Sequence, residues 1–186
     1  MVFIPELKLG LWNGWLFLAM YLVVFSLTMA TFSESVRARL YDRSLWTQKQ
    51  KTVAVIGKIF SLSNMILFLF SPLRFESPLF ILGLILWTAG LFGLVAALIT
   101  YSRTPLAEPV NSGIYKISRN PQIFTIWVIF AGICLMIGSS LSLLLFALSL
   151  FFLHTGVLAE EEACLRQYGE RYQAYIDRVP RYFLAF

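Results

Sequence analysis

From Ile123 to Ala159 the chain is almost unbroken apolar sequence, apart from Gly138-Ser139-Ser140 and His154. As one helix this run would reach roughly 55 Å, far beyond a bilayer core about 30 Å thick. In a soluble globule of this size there would be too little interior to hide it. Two helices turning back near Gly138-Ser139-Ser140 resolve the length, because loop backbone inside lipid is too costly. Three further runs have span length: Leu11 to Phe32, Val53 to Leu73 with Lys58 near its start, and Leu79 to Tyr101. The pattern predicts an all-α, polytopic transmembrane helical bundle of about five spans, the last two forming a hairpin. Four spans with one long tilted helix is the weaker alternative. Composition agrees, at 59% hydrophobic and 13% charged where soluble domains are nearer half and a quarter.

The first run begins after Glu6 and Lys8 and lacks a clear A-x-A exit, so it is expected to stay as a membrane helix. Cys134 lies in an apolar run and Cys164 in the charged segment after it, which predicts neither a disulfide framework nor a metal site. A pI near 9.4 would suggest nucleic acid for a soluble protein. Here the cations lie between apolar runs, so no nucleic-acid partner is expected, and they report topology instead. With five spans, one side receives Arg37, Arg39, Arg43, Lys49 and Lys51, then Arg103, Lys116 and Arg119, then Arg166, Arg171, Arg178 and Arg181. The other receives only Lys8 and Arg74. By the positive-inside rule the N-terminus is outside, and the first loop, third loop and C-terminal tail are cytoplasmic.

Two polar segments on that side carry candidate chemistry. In the third loop, Pro105 and Pro109 favour extended chain and Asn111-Ser112-Gly113 a turn. Asn120-Pro121 reads as an N-cap with proline at the first helical position. A helix N-terminus beside Arg119 can hold a carboxylate; equally, Lys116 and Arg119 can be ordinary positive-inside anchors. In the tail, Leu165, Tyr168, Tyr172 and Tyr175 fall on one helical face, as in an amphipathic helix lying on the membrane. Glu160-Glu161-Glu162 precedes it and suits either a cationic ligand or the dipole of a helix start. Together these groups match a zwitterionic, cationic cofactor such as S-adenosylmethionine, as one candidate among several.

The stretch Gly113-Ile-Tyr-Lys-Ile-Ser-Arg-Asn-Pro121 resembles the G-x-Y-x-x-x-R-[HN]-P motif of the isoprenylcysteine carboxyl methyltransferases and their bacterial and archaeal relatives. Phospholipid N-methyltransferases carry a related motif. The tail is similar to the second family motif, here Glu161-Glu162, Leu165, Tyr168-Gly169, Tyr172, Tyr175 and Val179-Pro180-Arg181-Tyr182. The resemblance covers roughly residues 80 to 183 and implies a membrane methyltransferase using S-adenosylmethionine on a lipophilic or small acceptor. The first two spans are not diagnostic; the chain is expected to form one membrane domain over 1–186, with residues 1–78 holding two spans and the basic loop, and 79–186 the methyltransferase-like core. The inner (plasma) membrane of a prokaryote is the implied location, with membrane lipids as partners. Tyr115, Arg119, Asn120 and Pro121 would line the cofactor pocket. Glu161 or Glu162 would bind the cofactor's amino group or sit near the transferring methyl, with Arg119 and Glu162 as the catalytic candidates. Tyr172, Tyr175 and Arg181 would close the lid.

Two departures bear on the acceptor. Asn120 stands where the family often has histidine, and asparagine takes no proton near neutral pH. Ile123 stands where tyrosine is common. His154, near the end of the last span, is either a base or cofactor contact or an interhelical hydrogen-bonding residue. Rival readings are a non-catalytic membrane protein retaining the fold and a membrane reductase related to the larger, NADPH-using sterol reductases.

Overall fold

The computed structural model describes residues 1–183. Seven α-helices and one 3-10 turn make up its regular structure, with no strand among the described residues. In chain order they are α1 Trp15–Ala30, α2 Glu34–Tyr41, α3 Gln48–Phe70, α4 Pro78–Arg103, the 3-10 turn Gly113–Lys116, α5 Pro121–Ile137, α6 Ser140–Tyr168 and α7 Glu170–Ile176. Five are apolar and occupy the five expected spans. α3, α4 and α6 are each long and apolar enough to cross a membrane, while α1 and α5 are shorter.

Local chemistry sets the ends. The α5–α6 hairpin turns at Gly138, which takes the left-handed conformation (φ 62°) that glycine adopts without steric cost. Ser139 then caps α6 by accepting from the Ser142 N–H. α3 starts five residues before the expected boundary because Thr47 and Gln50 form a capping box. α1 starts four residues late. Asn13, buried, donates through Nδ2 to the Lys8 and Leu69 carbonyls at 2.6 and 2.9 Å, and Gly14 N–H donates to Ser71, so the N-terminal strap is extended chain laced to the end of α3. α2 falls inside the basic loop, capped by Ser33.

Small residues bring the helices together. A Cβ on Gly83 of α4 would lie 2.5 Å from the Gly132 carbonyl oxygen of α5, and one on Gly57 of α3 would lie 2.9 Å from Leu153 of α6. A buried polar cluster joins α3, α5 and α6: Ser142 Oγ donates to Asn64 Oδ1 at 2.6 Å, and Asn64 Nδ2 to Cys134 Sγ at 3.4 Å. The bundle gathers its basic segments at one end. There Arg39 donates to the Pro105 and Glu108 carbonyls, and Gln50 donates to Glu162. At the other end Val2 pairs with Gly138 and Ser140, and Arg74 N–H donates to Met136.

Helix α6 has 29 residues and so spans about 43 Å. Its apolar part ends at Ala159, and the turns from Glu160 onward stand beyond it. The three glutamates therefore lie inside a helix, not at a helix start, which removes the dipole reading of the cluster. The single tail face is also broken. Gly169, at φ 56° and ψ −132°, ends α6 in a region closed to side chains and reverses the chain into α7. Leu165 is left exposed, while Tyr172 and Tyr175 turn inward and are buried. The tail is a folded-back cover broken at Gly169, not one continuous amphipathic helix.

Gly83→Ala forces a backbone shift between α4 and α5 and should lower the stability of detergent-solubilised protein by about 2 kcal/mol. Asn64→Ala removes interhelical hydrogen bonds of the kind worth about 0.6 kcal/mol in membranes. Thermal unfolding midpoints are expected to rank Gly83→Ala below Asn64→Ala, and the reverse order would contradict this packing.

Candidate active site

Three consecutive helical residues point about 100° apart, and Glu160, Glu161 and Glu162 accordingly meet three different environments. Glu161 faces α5 and the tail. Arg119 Nε and Nη2 donate to its two oxygens at 3.1 Å each, Asn120 Nδ2 donates at 2.7 Å, and Arg181 Nε at 2.9 Å. Arg119 Nη1 donates to the carbonyls of Ile176 and Val179 at 3.0 and 2.6 Å. The Arg119 and Glu161 side chains are each 8% exposed. Bonds to the tail carbonyls complete the clasp: Arg119 N–H to Pro180, Asn120 N–H to Arg181 and the Ser118 hydroxyl to Arg181. The arginine expected to receive a ligand's carboxylate thus holds one from its own chain. Asn120 does precede α5, but its side chain gives no cap bond and turns to Glu161 instead. Burial by itself raises the Glu161 carboxyl; hydrogen bonds from Arg119, Arg181 and Asn120 outweigh it and hold that carboxyl below the usual range.

Beside this clasp lies a cavity of about 350 Å³, more polar than the one among the spans, its wall mixing charged side chains and tyrosine hydroxyls with apolar surface. The loop around α2, the end of α4, the 3-10 turn, the start of α5, the end of α6 and α7 enclose it. Five expected residues line it: Tyr115, Arg119, Asn120, Tyr172 and Tyr175. The Tyr175 hydroxyl donates to the Tyr115 carbonyl at 2.6 Å, which seats α7 on the 3-10 turn. Burial pushes the Tyr115, Tyr172 and Tyr175 hydroxyls well above their ordinary range, so all three stay neutral. Arg39 lies 5.0 Å from the Tyr101 ring centroid, a cation–π contact on the cavity wall. Two buried donors on the lining, Trp46 Nε1 and Gln122 Nε2, have no partner in hydrogen-bond geometry among the described residues, although Gln122 lies near enough to the Tyr115 hydroxyl to oppose the effect of burial there.

A second cavity, about 520 Å³ and mostly apolar, runs between α1, α3, α5 and α6. Tyr21, Ala54, Ile126, Trp127, Phe130 and Leu153 are among its walls. The two cavities share Arg43, Trp46, Ile123 and Glu160. Glu160 is ion-paired with Arg43, whose guanidinium lies 4.7 Å from the Trp46 ring centroid. Desolvation raises the Glu160 carboxyl to about 7, against the opposing pull of Arg43.

The other expected residues lie elsewhere. Pro121 is buried at the start of α5 and lines neither cavity. Arg181 backs the clasp. His154 Nδ1 pairs with the Tyr182 hydroxyl at 2.7 Å, under the tail. Glu162 is about half exposed, paired with Arg166 one turn on and with Gln50 at 2.9 Å. Sequence reasoning singled out Glu160 only as part of the glutamate run and did not single out Arg39, Arg43, Trp46 and Tyr101, which also line the cavity. For Glu160 a signal existed: it shares a face with Gly156, Cys164 and Gln167, whereas Glu162 pairs with Arg166 at i+4 as surface charges do.

The clasp carries a pH dependence. The folded-state pKa of Glu161 is lowered, so its contribution is fully present above the unfolded carboxylate value and is lost as pH falls through the folded one. A spin label at Asp177 should gain mobility only as pH falls below the ordinary carboxylate range. In Glu161→Gln, which uncouples a buried pair at a cost of about 3 kcal/mol, the label should be mobile at neutral pH. Equal mobility in both proteins would show that the clasp does not hold the tail.

The family model for phospholipid methyltransferases matches residues 79–171, half of the 186-residue chain. This segment runs from the start of α4 to the start of α7 and contains Arg119, Asn120 and all three glutamates. No curated protein and no solved structure matches the chain. The chain is a membrane protein of the phospholipid methyltransferase family.

Proposed function

We propose that the protein is an S-adenosylmethionine-dependent methyltransferase acting at the cytoplasmic membrane face on a lipophilic acceptor that enters from the bilayer. The observation that carries this reading is the pair of cavities with one shared wall. A polar, aromatic-lined pocket at the loop end suits a water-soluble donor, and an apolar pocket among the spans suits a hydrocarbon chain.

The chemistry of the polar cavity fits the donor. Its volume, about 350 Å³, falls within the roughly 300–1,000 Å³ typical of small-molecule sites. Trp46 Nε1 and Gln122 Nε2 offer two unused donors. Tyr101, Tyr115 and Tyr172 present aromatic walls, and Asp42 presents a carboxylate. When bound, S-adenosylmethionine supplies a methyl group on a positively charged sulfur. The residues' part is to orient donor and acceptor and to exclude water. α7, held by Tyr175 on Tyr115 and by Arg119 on Ile176 and Val179, is the cover that does the excluding.

The orientation follows from the cations. Arg37, Arg39, Arg43, Lys49 and Lys51 share the cavity end with Lys116, Arg119 and the tail arginines, which favours that end as cytoplasmic. Residues 1–78 supply α1 to α3 and with them much of both cavities' lining, so the chain is best read as one membrane domain.

Labelled S-adenosylmethionine should bind the purified protein in micelles, and Gln122→Leu should weaken that binding by about threefold to tenfold, the worth of one hydrogen bond. Absence of binding to wild type would overturn the proposal. Ala54→Leu narrows the apolar cavity alone. It should raise the acceptor KM by about tenfold, the scale of a hydrocarbon-sized misfit, with donor binding unchanged. A loss of donor affinity instead would contradict the division of labour between the cavities.

A further inference from the structure

Glu160 is the only carboxylate among the described residues that lines both cavities. It is fixed on α6, and its one polar contact there is the ion pair with Arg43. Arg43 is differently placed. It sits on the α2–α3 loop, donates also to the Leu40 and Asp42 carbonyls at 3.3 and 2.7 Å, and lies over Trp46. Withdrawing Arg43 leaves the cation three other contacts but leaves Glu160 a half-buried carboxylate with none. Any group that takes the place of Arg43 must therefore bring a proton donor to Glu160.

We propose that Glu160 is the catalytic base at the meeting point of the cavities, with Arg43 as a counterion that gives way to an acceptor bearing an N–H or S–H group. This rests on the methyltransferase reading above. The acceptor's proton passes to the Glu160 carboxylate. The freed lone pair forms the bond to the methyl carbon, and the electron pair of the broken carbon–sulfur bond stays on the donor's sulfur, which leaves uncharged. The two neighbouring glutamates and Asn120 are disqualified by position or chemistry. Glu161 is committed to Arg119, Arg181 and Asn120; Asn120 takes no proton; Glu162 faces outward to Arg166 and Gln50. Desolvation that holds the Glu160 carboxyl near neutrality suits a base working at physiological pH. The charged and titratable groups around it are Arg43 and Asp42 on the α2–α3 loop, Tyr101 on α4, Cys164 one turn along α6, and Lys51 and Lys58 on the α3 side of the apolar cavity.

The test uses the full-length protein, labelled S-adenosylmethionine and three acceptor probes: phosphatidylethanolamine vesicles, dodecanethiol and N-acetyl-S-farnesylcysteine as the carboxylate. Glu160→Gln should keep donor affinity within about twofold and lose about a hundredfold or more in kcat on the amine or thiol, the scale of general-base catalysis. Glu160→Asp should restore part of it, and the rising limb of the pH–rate profile near neutrality should vanish in Glu160→Gln. Full turnover in Glu160→Gln, or methylation of the carboxylate probe alone, overturns the proposal and leaves the methyltransferase reading intact. No donor binding by wild type overturns both. A readout independent of turnover is the infrared carboxyl band that Glu160→Gln removes. It should titrate near neutral pH and move upward in Arg43→Gln, because a neighbouring cation is lost. A band in the ordinary carboxylate range, unmoved by Arg43→Gln, overturns the assignment whatever the acceptor.

Discussion

The buried ion pair between Arg119 and Glu161 is the interaction on which the arrangement of the polar end depends. It joins the start of α5, the projecting end of α6 and the C-terminal tail through one guanidinium and one carboxylate. Two charges this far from water are tolerable only because nearly every donor and lone pair is met. Arg119 uses the Nε/Nη2 edge of its planar fork on the carboxylate and gives Nη1 to two tail carbonyls, a geometry lysine cannot reproduce. Without the pair, α7 would lose its anchor and the polar cavity its cover. In the proposed function the pair is therefore a positioning device, and its removal is expected to act on ligands through the tail.

The bilayer supplies the second constraint. Helix α6 is longer than the hydrocarbon core is thick, so its last turns carry the glutamates beyond lipid while remaining rigidly continuous with the spans. That continuity puts a carboxylate where a polar pocket and an apolar pocket share a wall. The lateral walls come from α1, α3, α5 and α6; Gly57 against Leu153 brings α3 close to α6, and Gly83 against Gly132 brings α4 close to α5. Function in the proposed sense follows from the offset between helix length and membrane thickness.

Much of this was legible in the residues. Span length forced a turn near Gly138, and the left-handed glycine there is the expected one. Arg119, Asn120, Tyr115, Tyr172 and Tyr175 were singled out and do line one cavity. What escaped detection has identifiable physical causes. A run of three glutamates gives no direction to any of them until the neighbouring helices are placed, since a 100° step separates a buried partner of arginine from a solvent-facing one. Gly169 could equally have continued a helix, and only its backbone angles show that it ends one. Arg39 and Arg43 read as topology charges because nothing in their local sequence points to Tyr101 or Glu160, which lie more than 60 residues away along the chain.

The most direct measurement is a structure of the protein with S-adenosylhomocysteine bound. The account predicts density in the polar cavity against Trp46, Gln122 and Tyr172, with the Arg119–Glu161 pair and α7 in place. Density at another surface, or Arg119 released from Glu161 to hold the ligand's carboxylate, would contradict it.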